Sequence, residues 1–255
     1  MRPPLETPQI NPPSAPPDAR GPQLPLAGHL EELRRRLGIS LAALLVAVAL
    51  SMIRADDIIQ WLASPVQAFL PFFAFFTPVE PLAAYLKVGG LAGLVLAMPV
   101  ILWQLWAFIR SGLTKTERSA GLAFVWWGSL QFLAGAAFAY YVVLPASLRF
   151  LFGIGAHYLR PVISIDRYLS FVTTLLFWCG LVFELPVILF GLARVGIVTS
   201  EWLRQQRPYA ILVLVIVAAL VTPTTDPVNL CLVSIPMVLL YEVSIWLTRA
   251  AIRRS

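Results

Sequence analysis

Four glutamates in this 255-residue chain stand where a carboxylate is either costly or surrounded by cations. Glu31 and Glu32 precede Arg34, Arg35 and Arg36 in the segment Gly28 to Leu37, whose Leu30, Leu33 and Leu37 form one apolar stripe. Glu31 faces Arg35, and Glu32 faces Arg36, at the favourable spacing of four, so a salt-bridged surface helix accounts for both. A carboxylate on a basic membrane rim can also receive a cationic ligand, and an arginine most readily, because guanidinium and carboxylate pair bidentately. Glu117, next to Arg118, carries the same two readings: Thr114-Lys115-Thr116-Glu117 has the spacing of a helix capping box. Glu184 lies inside the apolar run Phe177 to Pro186, where an ionised carboxylate costs a few kcal/mol or more. It is read as a protonated side chain bonded to a neighbouring helix, helped by the carbonyl that Pro186 leaves without a donor, or as a docking or gating point for a partner helix, or as a proton site. Gln104 and Gln131, also in apolar runs, are read as interhelical hydrogen bonds.

Little else in the sequence suggests chemistry. His29 and His157 have no Ser, Cys or carboxylate arrangement around them that marks a catalytic base. There is no phosphate-binding glycine loop and no HExxH pair, and Cys179 and Cys231 sit in separate apolar stretches away from metal-ligand spacing. No catalytic residue, no metal and no cofactor is expected, and the chain is not read as an enzyme.

The elements that position these residues follow from composition. The chain is 59% hydrophobic and 13% charged, with mean hydropathy +0.80, against about 45–50% and about 25% in soluble domains. At about 20 apolar residues per crossing, this is an all-α integral membrane protein with six expected spans, near 37–53, 82–108, 119–144, 168–193, 208–222 and 227–247. They form one membrane domain over 27–255. The last two uncharged runs, 208–225 and 227–241, meet at a tight turn and predict a short fifth and a short sixth helix. The third run extends to Leu148, and Pro145 is taken to mark its exit. Between the first two spans, Ala55 to Phe76 reads as an interfacial helix and an aromatic loop. Residues 1–26 hold nine of the 21 prolines and read as a disordered cytoplasmic tail, with neither a signal-peptide nor a transit-peptide pattern.

Lys and Arg set the orientation. Six spans put Arg2, Arg20 and Arg34 to Arg36, the loop with Arg110, Lys115 and Arg118, the loop with Arg194, Arg204 and Arg207, and the terminal Arg249, Arg253 and Arg254 on one side. Only Arg54, Arg149, Arg160 and Arg167 fall on the other, and Lys87 begins the second span. By the positive-inside rule both termini are cytoplasmic. The net charge of +6 is thus accounted for by topology, and nucleic acid is not expected as a partner.

Nine blocks in order then resemble the TatC family, the multi-spanning receptor subunit of the twin-arginine protein translocase. They are His29 to Leu37; Phe76 to Pro81 with Lys87; Pro99 to Phe108; Gly112-Leu113 with Glu117-Arg118; Phe132 with Gly135 and Phe138 to Tyr140; Phe183 to Pro186; Arg207 to Tyr209; Thr222-Pro223 with Asp226; and Pro236 with Tyr241-Glu242. The resemblance implies a bowl-shaped receptor in the cytoplasmic (inner) membrane of a bacterium. Such a receptor binds twin-arginine signal peptides of folded cargo, works in an oligomeric complex with TatA-like and TatB-like single-span proteins in membrane lipid, and draws on the proton-motive force. It implies signal binding by Glu32 and Glu117, with Leu30, Arg34 and Arg118 around them. It implies a partner-helix position at Glu184 with Gln104, and structural or functional periplasmic positions at Pro78, Glu80 and Asp226. Against it stand a proton-coupled transporter of a small solute using Glu184, which calls for repeat symmetry that is not visible, and an intramembrane enzyme, which lacks a nucleophile. Two features depart from the family: Ser111, where a proline usually precedes Gly-Leu, and the long proline-rich start. Deleting residues 1 to 24 is expected to leave export of a twin-arginine cargo intact; loss of export in that deletion assigns the tail a role.

Overall fold

The computed structural model describes residues 26–67, 69–70, 72–109, 121–154, 161–194, 196–222 and 227–252. Every element among them is helical, apart from one isolated bridge between Ala74 and Ser164. The tail 1–25, Glu117, Arg118 and Asp226 lie outside the described residues. The helices are α1 (Leu26–Met52), α2 (Ala55–Ala63), α3 (Glu80–Ile109), α4 (Gly121–Phe138), α5 (Leu144–Gly153), α6 (Ile165–Phe183), α7 (Leu185–Arg194), α8 (Ser200–Gln205), α9 (Arg207–Val221) and α10 (Pro227–Ile252). Five continuous stretches are long and apolar enough to cross a membrane: Glu31–Met52, Glu80–Phe108, Gly121–Gly153, Ile165–Arg194 and Asn229–Arg249. Arg207–Val221 is apolar but shorter.

Two expectations from the sequence are corrected. Pro145 does not end the third helix: a π-helical turn at Ala139–Val143 joins α4 to α5, and the helix runs on to Gly153. A proline lacks an N–H and crowds the carbonyl four residues back, and the widened turn relieves both while keeping the backbone bonded. The last helix is not short, since α10 has 26 residues and passes straight through Glu242. Reading the helix only to the first charged residue misleads here, because the Glu242 carboxylate is neutralised by Arg207 Nη2 at 2.5 Å. The fifth helix is short as expected, at 15 residues.

The core gathers around α6, whose Leu169, Val172, Leu175, Leu176, Cys179 and Val182 are all buried. A smaller apolar cluster joins α3 to α4 through Met98, Leu102, Trp106, Phe124 and Phe132. α1 lies at the edge, packed antiparallel on α3, and its Leu37, Leu45 and Val46 face outward, as suits lipid. Close approach of these two helices depends on Gly93: a Cβ there would lie 2.6 Å from the backbone N and Cα of Val48. Ser51 Oγ also donates to Gly89 O across the pair at 2.7 Å.

α2 forms as the amphipathic interfacial helix that Ala55 to Phe76 suggests, with Ala55, Ile59, Leu62 and Ala63 buried and Asp56 and Asp57 exposed. Two tyrosines fix its end. Tyr140, from the π turn, donates to Trp61 O at 2.6 Å and stacks on the Trp61 ring, and Tyr168 donates to Leu62 O at 2.9 Å. They add side-chain bonds at the helix end, where Trp61 O also accepts from Ser64. Replacing Gly93 by Ala is expected to lower the thermal midpoint in nanodiscs by an amount equivalent to about 1–3 kcal/mol, through overpacking. An unchanged midpoint means that α1 does not need this contact.

Candidate functional site

At one end of the bundle, the N-terminal part of α1 meets the C-terminal part of α3. Glu32 and Arg36 are one turn apart on α1, and Arg36 donates to Glu32 Oε1 from Nη2 at 2.5 Å and from Nε at 3.1 Å. The same guanidinium reaches Gln104 Oε1 on α3 at 3.4 Å. Of the two pairs expected on this helix, Glu32 with Arg36 closes, while Glu31, Arg34 and Arg35 are exposed and make no ion pair among the described residues. Gln104 does make the interhelical contact expected of it, and its partner is an arginine. The backbone of Leu30 lies in α1. Both charged side chains of the pair remain partly exposed, so the pair itself contributes no more than about 0.3–0.5 kcal/mol.

The second carboxylate is of a different kind. Glu184 is the hinge residue between α6 and α7, where Pro186 interrupts the helix, and it is 1% exposed. Its carbonyl accepts from Val187 N at 3.1 Å and Ile188 N at 3.0 Å, so the break is bridged by backbone bonds. Neither carboxylate oxygen has a hydrogen-bond partner among the described residues. The bond that one reading of the sequence expected from this side chain to a neighbouring helix does not form among the described residues. The carboxylate looks across to α4, where a Cβ built on Gly128 would stand 3.1 Å from Oε2 and 2.5 Å from Leu102 Cδ1. Trp106 Nε1 on α3 and Ser129 Oγ on α4 are also buried without partners. The sequence singled out Glu184, but no signal marked Gly128 or Leu102 as its neighbours, because neighbours across helices are set by packing.

Glu80 begins α3 and ties two loops together. Its Oε2 accepts from Ser164 Oγ at 2.5 Å and from the Phe76 N–H at 3.3 Å. Nearby, Ala74 exchanges backbone bonds with Ile163 and Ile165, and Lys87 Nζ donates to Asp166 at 2.5 Å and to Ser170 at 2.7 Å. Pro78 stands in the turn that leads into α3. No cluster of metal-ligating side chains exists among the described residues.

A multi-span helical membrane protein with a carboxylate rim at one helix end and a buried carboxylate within its spans is the class that these observations define. A family model described as Sec-independent protein translocase protein (TatC) matches residues 28–236. The chain is 37% identical to the TatC protein of Aquifex aeolicus over 236 residues, covering 91% of this chain and 98% of that one. It is 38% identical to that of Koribacter versatilis over 223 residues, covering 85% and 82% respectively. With the protein of Helicobacter pylori strain J99 the identity is 39% over 224 residues, covering 88% of each. A crystal structure described as the twin arginine translocase receptor TatC superposes with a TM-score of 0.78 at 37% identity, covering 88% of this chain and 99% of the other. The chain belongs to the TatC family of Sec-independent protein translocase proteins. It is a subunit of a protein translocase, in a family of receptors and not of enzymes, and the transporter reading gains no support from these relatives.

Replacing Glu184 by Leu removes two buried oxygens that have no partner, so the isolated chain is expected to gain stability, equivalent to about 1–3 kcal/mol. Thermal unfolding in detergent checks this, and a loss of stability would mean that the carboxyl group is bonded after all.

Proposed function

We propose that this chain is the signal-receiving core of a twin-arginine translocase. It binds the paired arginines of a folded cargo protein's signal at Glu32 and Glu117, with Leu30, Arg34 and Arg118 around them. The observation that carries this is the Glu32–Arg36–Gln104 contact. It holds a partly exposed carboxylate against α3 near Ile109, where the chain enters the segment that holds Glu117. Two adjacent guanidiniums match two carboxylates, and the solvent-screened Arg36 pair is weak enough to exchange. Twin lysine is a poorer ligand, because an ammonium cannot pair bidentately.

The orientation places this end in the cytoplasm. The excess of Lys and Arg on that side supports it. The chain then resides in the bacterial inner membrane as one domain from 27 to 255, with residues 1–26 as a tail on the cytoplasmic side. Glu184, aided by Gln104, receives a polar side chain from a TatA-like or TatB-like helix. A carboxyl group without an internal partner in hydrocarbon supports that role. Asp226 and Pro78 shape the opposite face, and the proton-motive force drives transport in an oligomeric complex.

A twin-arginine signal peptide is expected to bind the protein in nanodiscs at least about tenfold more tightly than its twin-lysine version, the equivalent of about 1.4 kcal/mol. Glu32→Ala and Glu117→Ala are each expected to abolish that preference. Equal binding of both peptides to the parent protein refutes the receptor role of this rim. Separately, Glu184→Ala is expected to impair co-purification of the single-span partners while leaving peptide binding intact; full recruitment and normal export in that variant refute the partner role.

A further inference from the structure

The loops at the other end of the bundle enclose an open pocket of about 380 Å³, lined by Phe76, Val162, Ile163, Ser164 and Arg167. We propose that it binds the headgroup of a zwitterionic phospholipid, phosphatidylethanolamine, with the phosphate on Arg167 and the ammonium on Glu80. Depth comes first. The pocket lies where α3 and α6 begin, so it sits at the level where membrane helices meet the headgroups. Phe72, Phe76, Val79 and Val162 around it are exposed by 64–79%, an apolar rim suited to the glycerol and upper acyl chains.

Charge then selects the headgroup. Arg167 is exposed and has no carboxylate partner among the described residues, whereas Lys87 close by is committed to Asp166 and Ser170. A guanidinium free at headgroup depth is a phosphate ligand. A carboxylate stands beside the pocket, bonded to two of the residues that line it. Glu80 Oε2 is bonded to Ser164 Oγ and to the Phe76 N–H, both on pocket-lining residues, while among the described residues Oε1 has only a 3.4 Å contact from Thr77 Oγ1. A purely anionic headgroup such as phosphatidylglycerol meets that carboxylate unfavourably. Phosphatidylethanolamine carries an ammonium with three donors on a two-carbon arm from its phosphate, so it answers both charges. Phosphatidylcholine has the charge but no N–H to donate.

Native mass spectrometry of the full chain, titrated with palmitoyl-oleoyl phosphatidylethanolamine, phosphatidylglycerol or phosphatidylcholine from detergent, tests this. Phosphatidylethanolamine is expected to bind about fivefold more tightly than either of the others, the size of one headgroup-level charge contact. Arg167→Gln is expected to weaken all three about fivefold. Glu80→Gln is expected to erase the advantage over phosphatidylcholine, and Arg149→Gln, an exposed arginine away from the pocket, to change nothing. The proposal is overturned if phosphatidylglycerol binds as tightly as phosphatidylethanolamine, if Arg167→Gln leaves binding unchanged, or if the preference survives Glu80→Gln. Arg167 makes no hydrogen bond or ion pair among the described residues, so its variant is expected to fold and decides the matter even if the Glu80 variant does not.

Discussion

Hydrocarbon offers no hydrogen bonds, so every backbone donor and acceptor within the bilayer must find its partner inside the protein. That constraint accounts for the spans being helical, and more specifically for what happens where a helix is interrupted. At Pro145 the chain widens into a π turn and stays bonded. At Pro186 the break falls on Glu184, whose carbonyl takes up two N–H groups of the next helix. At the end of α2, which is too short to cross, tyrosines from α6 and from the π turn reach over to the last carbonyls. The π turn thus serves two ends at once, since the same distortion that passes the proline presents Tyr140 to Trp61.

Charges obey a parallel rule. Glu242 on α10 and Arg207 at the start of α9 neutralise each other, and Lys87 and Asp166 do the same between α3 and α6. These pairs join helices distant in sequence at the two ends of the bundle. Their strength is modest because they remain partly exposed, so they align elements that apolar packing already holds. The Glu32–Arg36 pair differs in that it lies within one helix, at the rim where signal binding is proposed.

Glu184 is the exception to the rule of satisfaction. Among the described residues neither of its oxygens has a partner: Leu102 fills the space beside Gly128, and Phe132 packs on Gly180 of α6. In the proposed reading this unpaired group is kept for a partner helix, at a cost in the stability of the isolated chain.

Composition, hydropathy and the ordered blocks were enough to specify an all-helical membrane protein, the family, and the carboxylates worth attention, because each depends on residue type and local spacing. The interfacial α2 was legible for the same reason, its apolar residues recurring at helical spacing between charged ones. The length of the last helix was not, since Glu242 reads as a terminus until Arg207, 35 residues earlier, is found beside it. Nor was the passage through Pro145, which rests on a π turn whose Tyr140 is held by α2. That Arg36 joins Glu32 to Gln104, that Gly128 stands beside both Leu102 and Glu184, and that Glu80 bonds Ser164 and Phe76 at the pocket lined by Arg167 are facts of packing between distant segments. Sequence determines what each side chain can do; which of them meet is decided by the tertiary structure, because contacts across helices depend on how the helices cross and how deep each one sits.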